Sequence, residues 1–155
     1  MSGEFDLDQI YVIIREHFRE EGHAPHYTEI AGELGVSPEE GRLALHALMD
    51  SPFPCWLHPD TDYIASFPPF SNIPTQYHIT VGGVRKWFAQ CGFGALAMRW
   101  LFPGEPRLVE ALCMNSGEPM RIELRDEEVL SAEPNTIYGY VAVPLAKWRA
   151  NLPFA

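Results

Sequence analysis

Three cysteines, Cys55, Cys91 and Cys113, are the residues of this sequence best suited to nucleophilic or soft-metal chemistry. Cys91 lies in WFAQCGFGALAM, residues 87–98, between an aromatic, strand-like run and a small-residue run with helical spacing. A cysteine at a helix start faces free N–H groups, which can lower a thiol pKa from ~8.5 into the ~3.5–7.5 range. The resulting thiolate is a nucleophile and a strong ligand for soft metals. Gly92 and Gly94 leave space beside the sulfur for a ligand or a second backbone. The competing reading of Cys91 is a small buried hydrophobe, since free cysteine is among the most buried residue types. On spacing, Cys91 is expected to be the most reactive of the three thiols.

Cys113 is a second candidate metal ligand. Strand alternation places it with Val109 and Ala111, opposite Leu108, Glu110 and Leu112, and this favours a core role. Cys55, after Pro54, reads as packing. An odd number of cysteines without a CxxC pair fits reduced thiols rather than a disulfide framework. Other polar groups are weaker candidates. His23 and His26 in GHAPHY form a loop pair without a third metal ligand nearby. His58, Asp60 and Asp62 read as a solvated turn, and RDEEV, residues 125–129, as an exposed one. No GxSxG, P-loop or dinucleotide fingerprint is present.

The elements that must position Cys91 fall into two parts. Ile10, Ile14 and Phe18 give one apolar helical face, stopped at Gly22. TEIAGELGVSPEEGRLALHALMD reads as helix-turn-helix, with Thr28 capping the first helix, Gly35 ending it, Ser37 capping the second and Pro38 opening it. CWLHPDTDYIAS adds two short apolar segments around a turn, completing a winged-helix pattern. FPPFSNIPT, residues 67–75, marks a proline-rich linker. Beyond it, YHITV and VRKWFA flank a Gly82-Gly83 hairpin turn. A helix is expected from Gly92 to Phe102, followed by strands in RLVEALCM, MRIELR and TIYGYVAV. Phe67, Phe70, Tyr77, Trp87, Phe88, Phe93 and Trp100 are expected to crowd the junction near Cys91, most as core and some as pocket walls.

The chain carries 11 Lys plus Arg against 21 Asp plus Glu, a net charge of −10. That field opposes nucleic acid and anionic membranes, and the candidate recognition helix opens with Glu39 and Glu40 and offers only Arg42. The helix-turn-helix part is therefore expected to be a packing module. No apolar run reaches the ~20 residues needed to span a bilayer, and MSGEFDLDQI lacks the features of a signal peptide, so a cytoplasmic location is expected.

The winged-helix pattern, the GG hairpin, the cysteine at a strand-to-helix junction in WFAQCGFGALAM, the turn in PGEPRLVEALCMNSGEP and VPLAKW together resemble the alkylmercury lyase family over nearly the whole chain. The resemblance implies that Cys91 captures the mercury of an organomercurial as a thiolate. It also implies that a second cysteine joins it, that an acid protonates the departing carbon, and that Cys113 is mainly structural. Two departures stand out. The family's aspartate, three residues after the first cysteine, corresponds to Gly94. The second catalytic cysteine would follow the stretch resembling WRANLPFA, at which this sequence stops, so a short or truncated, divergent member is expected.

The expected fold is α+β, with a winged-helix packing lobe over residues 1–66, a linker over 67–75 and an alkylmercury-lyase-like core over 76–155 that lacks the C-terminal part of the family core. The expected site comprises Cys91 as catalytic residue and metal ligand, Cys113 as an additional ligand, and a substrate pocket of Trp87, Phe88, Gly92, Phe93 and Gly94. Capture of a soft metal or organometal is expected, with carbon–mercury protonolysis lacking its acid. The alternatives are a non-catalytic binding protein and a relative serving another small-molecule reaction. No resident cofactor is expected, and the partner is a small molecule or soft metal.

Overall fold

The computed structural model describes residues 5–153. Three helices lead: α1 (Leu7–Glu21), α2 (Tyr27–Leu34) and α3 (Pro38–Met49). The Asp6 carboxylate caps α1 by accepting the N–H groups of Asp8 and Gln9, each at 3.1 Å, and Gly22 ends it at φ 83°. Ile10, Ile14 and Phe18 are all buried, as their spacing requires. Helix α3 starts as expected, with Ser37 as cap, Pro38 first and Glu40 closing a capping box.

Helix α2 does not start where the sequence suggested. His26, not Thr28, is the cap. Its ring nitrogen accepts the Thr28 N–H at 3.4 Å, and Glu29 returns a carboxylate to the His26 N–H at 2.7 Å. An imidazole nitrogen accepts here as a hydroxyl would, and Glu29 in the third position completes the reciprocal pair. Where α2 and α3 cross, a Cβ on Gly41 would stand 2.5 Å from the Ala31 Cβ, so only glycine allows that approach.

The remaining chain builds one antiparallel sheet: β1 (Trp56–Leu57), β2 (Ile64–Phe67), β3 (Phe70–Ser71), β4 (His78–Val81), β5 (Val84–Ala89), β6 (Pro106–Leu112), β7 (Pro119–Arg125) and β8 (Glu128–Glu133). The spatial order is β1-β2-β3-β5-β4-β6-β7-β8. Gly82 and Gly83 turn β4 into β5 with φ of 54° and 83°, the conformation for which that pair was read. Between β5 and β6 lies α4 (Gly92–Ala97), then a 3-10 turn over Met98–Leu101.

Three expectations are corrected. The stretch 67–75, read as a linker, supplies β3, and Phe67 and Phe70 within it are fully buried. Phe70 stacks on Phe18 of α1 at a centroid separation of 5.1 Å. Sheet and helices therefore share one continuous core across the expected boundary. The helix expected over Gly92–Phe102 tightens to 3-10 after Ala97. Buried Arg107 takes the Arg99 and Phe102 carbonyls with its guanidinium, at 3.1 and 2.8 Å, and so fixes the end of that turn. TIYGYVAV forms no strand. The edge beyond β7 is taken by β8, whose first residues belong to RDEEV, leaving only Asp126 and Glu127 of that run in the turn. Pro134, without an N–H, follows the end of β8.

Candidate functional site

Cys91 occupies the point where β5 gives way to α4. Its backbone is extended, with φ −154° and ψ 176°, and its sulfur caps the short helix by accepting the Gly94 N–H at 3.4 Å. The side chain is part-exposed. Gln90, just before it, anchors the junction. Its amide N–H donates to the Pro69 carbonyl at 2.9 Å, and its side-chain amide donates to the Ser66 hydroxyl at 2.7 Å and the Pro54 carbonyl at 3.1 Å.

The glycines on either side of Phe93 are closely approached. A Cβ on Gly92 would lie 3.6 Å from the Tyr77 ring, and one on Gly94 would lie 3.0 Å from the Pro69 carbonyl oxygen. Phe93 is 56% exposed, and a Cβ on Gly139 would come within 3.4 Å of its ring, so the segment after β8 passes over it. No Asp or Glu lies in α4.

The expected pocket residues do not all meet. Gly92, Phe93 and Gly94 adjoin Cys91. Phe88 faces the other side of the sheet, its ring 4.8 Å from that of His78. Trp87 points inward. Its indole N–H donates to the Phe18 carbonyl at 2.8 Å and its ring meets Phe102 edge-on, so it belongs to the core rather than to the surroundings of Cys91. Trp100, expected near the junction, is 67% exposed. Two open surface cavities of about 510 and 520 Å³ are present, one over His78, Arg85, Glu110 and Arg121, the other beside Trp87 and Glu105; Cys91 lines neither.

The other thiols differ in character. Cys55 is buried, and desolvation pushes its pKa up to about 12. Cys113 is not in the core as alternation suggested. It lies just past β6 in a turn closed by its own carbonyl and the Gly117 N–H at 2.8 Å. Hydrogen bonds from Ser116, and then from the Asn115 amide, hold its thiol below the ordinary range. His78 stands opposite both Phe88 and Glu110, so Cys91, three residues past Phe88, and Cys113, three past Glu110, leave the sheet at the same end on either side of β4. Two strand spacings make that roughly 10 Å along the sheet.

The weaker clusters resolve into structure. His26 is a helix cap, the His17 and His23 rings meet edge-on, and Asp62 pairs with His46 at 2.6 Å. Arg42 is held by Glu39 at 2.8 Å. Among the described residues no group of three or more His, Cys, Asp or Glu is placed to hold a metal ion, and no helix is long and apolar enough to cross a membrane. The contacts that sequence reasoning missed are those of Pro69 and Gln90. Tyr77 was visible as an aromatic beside the strand YHITV, but its proximity to Gly92 depends on the pairing of β4 with β5.

A family model described as alkylmercury lyase (MerB) matches residues 70–152, a span that includes Cys91 and Cys113. Alkylmercury lyases of Bacillus cereus and Clostridium butyricum are each 32% identical to this chain over 72 residues, 46% of its length and 32% of theirs. The aligned stretch thus spans about a third of the curated relatives it matches. A crystal structure described as the mercury-bound form of MerB2 aligns with a TM-score of 0.62 at 20% identity, covering 82% of this chain and 61% of that one. At that identity the likeness is one of fold.

Proposed function

The chain belongs to the alkylmercury lyase family, and from that premise we propose that it captures an organomercurial, or a soft metal of the same character, through the sulfur of Cys91. The observation that carries this reading is the Cys91 sulfur itself. It is part-exposed, lies within the matched span, and accepts the Gly94 N–H at the start of α4. Mercury is soft and thiolate is its preferred kind of ligand, so one sulfur suffices for capture.

Completing carbon–mercury cleavage requires more. A proton must reach the carbon, and positioned acids contribute ~10²–10⁴-fold to such steps. Gly94 cannot supply it, and the Pro69 carbonyl closes the space a side chain there would enter. This favours a second reading, in which the chain holds the mercury compound with little turnover. Cys113 leaves the sheet two strands away from Cys91, so it could join the same ion only if both side chains reached toward each other across roughly 10 Å. The helices and β1–β2 act, on this view, as a winged-helix packing lobe. They contribute Ile14, Phe18 and Leu45 to the core, and Arg42 is engaged by Glu39. Three free thiols suit a reducing cytoplasm.

The test is incubation with phenylmercuric acetate followed by intact-protein and peptide mass spectrometry. A phenylmercury adduct on the Cys91 peptide, lost in Cys91→Ser, is expected. An adduct that survives Cys91→Ser would overturn the choice of sulfur.

A further inference from the structure

We propose that the Tyr77 phenol is the proton donor in this chain, standing in for the acid absent at Gly94; this rests on the reading of Cys91 as the capturing sulfur. Tyr77 directly precedes β4 and its ring packs against the core. The Ala89 N–H donates to its carbonyl at 3.0 Å, which ties it beside the end of β5, two residues before Cys91. Its ring reaches past that point. A Cβ on Gly92, the residue that follows Cys91, would lie 3.7 Å from the Tyr77 hydroxyl oxygen and 3.6 Å from its Cε1.

That hydroxyl has no hydrogen-bond partner among the described residues, although Tyr77 itself is half-buried and its N–H is bonded to Thr75. The hydroxyl is not enclosed, so it is open to solvent and its proton is free to be given to a bound ligand. Here it borders a glycine, so nothing but hydrogen occupies the space between it and the backbone next to Cys91. The neighbouring carboxylates are engaged elsewhere. Glu110 lies across the sheet near Arg85, at 3.7 Å, and Glu118 takes the Ser116 hydroxyl at the far turn.

The step balances as follows. With the organomercurial bound through sulfur, the carbon–mercury bond breaks and its electron pair passes to carbon. Carbon takes the phenol proton and leaves as hydrocarbon. Mercury(II) stays on Cys91 and accepts the thiolate of an added small thiol in the vacated position. The thiol's proton returns Tyr77 to its phenol form. Proton delivery from a phenol is less effective than from a carboxylic acid, so release is slow but protein-dependent.

The experiment follows two signals in the same sample, the Cys91 adduct by mass spectrometry and benzene by gas chromatography, with phenylmercuric acetate and excess small thiol. Tyr77→Phe keeps the ring. Adduct formation at the wild-type level with benzene release slowed about tenfold or more is the expected result. Tyr63→Phe, in the β1–β2 turn, leaves both signals unchanged. Substituting 3-fluorotyrosine at position 77, a stronger acid of nearly the same shape, speeds release. Benzene release equal in Tyr77→Phe and wild type would overturn the assignment, as would an adduct in the wild type with no release above the protein-free rate. Failure to form the adduct would instead overturn the underlying choice of Cys91.

Discussion

The carbonyl oxygen of Pro69 stands 3.0 Å from the point where Gly94 would carry a Cβ, and the same oxygen accepts the Gln90 N–H at 2.9 Å. The oxygen cannot retreat without weakening that bond, so the site resists any larger residue. Gly94→Asp, which would restore the carboxylate implied by the family resemblance, is expected to destabilise the fold by about 1–3 kcal/mol and to leave benzene release no faster. Urea unfolding followed by circular dichroism measures the first. A midpoint equal to wild type would mean that the junction yields more readily than its hydrogen bonds suggest.

Thiol labelling separates the three cysteines. Cys55 is 2% exposed and its thiol is held protonated by burial, so it should resist iodoacetamide until the protein unfolds. Cys91 and Cys113 should both react in the folded protein. Because hydrogen bonds from Ser116 lower the Cys113 pKa, its labelling should persist to lower pH than that of a free thiol, and Ser116→Ala should move the profile upward. Peptide mapping across pH 5–9 reads this directly, and early labelling of Cys55 would contradict the packing around it.

Alkaline stability follows from the same residue. A thiol titrating at about 12 in the folded state and near ~8.5 when unfolded favours folding fully below the lower value. That contribution is lost as pH rises from about 9 towards 12. Cys55→Ala removes this titration, so its stability should depend less on pH than wild type over that range, even though it starts lower because of the cavity. Parallel alkaline slopes in the two proteins would show that Cys55 is not the group responsible.

Trp87→Phe should cost about 1–3 kcal/mol, since it removes both ring volume from the core and the donor to the Phe18 carbonyl. Phe18 retains the Gly22 N–H at 2.9 Å, which limits the loss. Capture of phenylmercury should be unchanged. A selective loss of capture at normal stability would return Trp87 to the substrate pocket.

Much of this could be read in the sequence, where local pattern and tertiary demand agree. Ile10, Ile14 and Phe18 mark a helix face by spacing alone, and Gly82-Gly83 mark a turn because both need positive φ. The strand-to-helix junction at Cys91 was legible for the same reason. Phe70–Ser71 was not, since a two-residue strand exists only because β2 and β5 pair with it from either side. TIYGYVAV alternates convincingly, but alternation does not say which segment reaches the open edge beside β7. Around Cys91, the contacts of Tyr77 and Pro69 arise from sheet register, which no local window contains.

The place of β3 in the sheet has a consequence for how this protein divides. A fragment beginning at residue 76 would retain Cys91 yet lose the partner of Phe88 and Ala89 in β5. It would also lose Phe70 and Phe18 from the core that this sheet packs against. A bare edge flanked by aromatic side chains is a template for pairing with other chains, so such a fragment would tend towards aggregation rather than independent folding. Insertions or fusions are better tolerated at the Asn115–Gly117 turn, where the chain is exposed and no strand is interrupted.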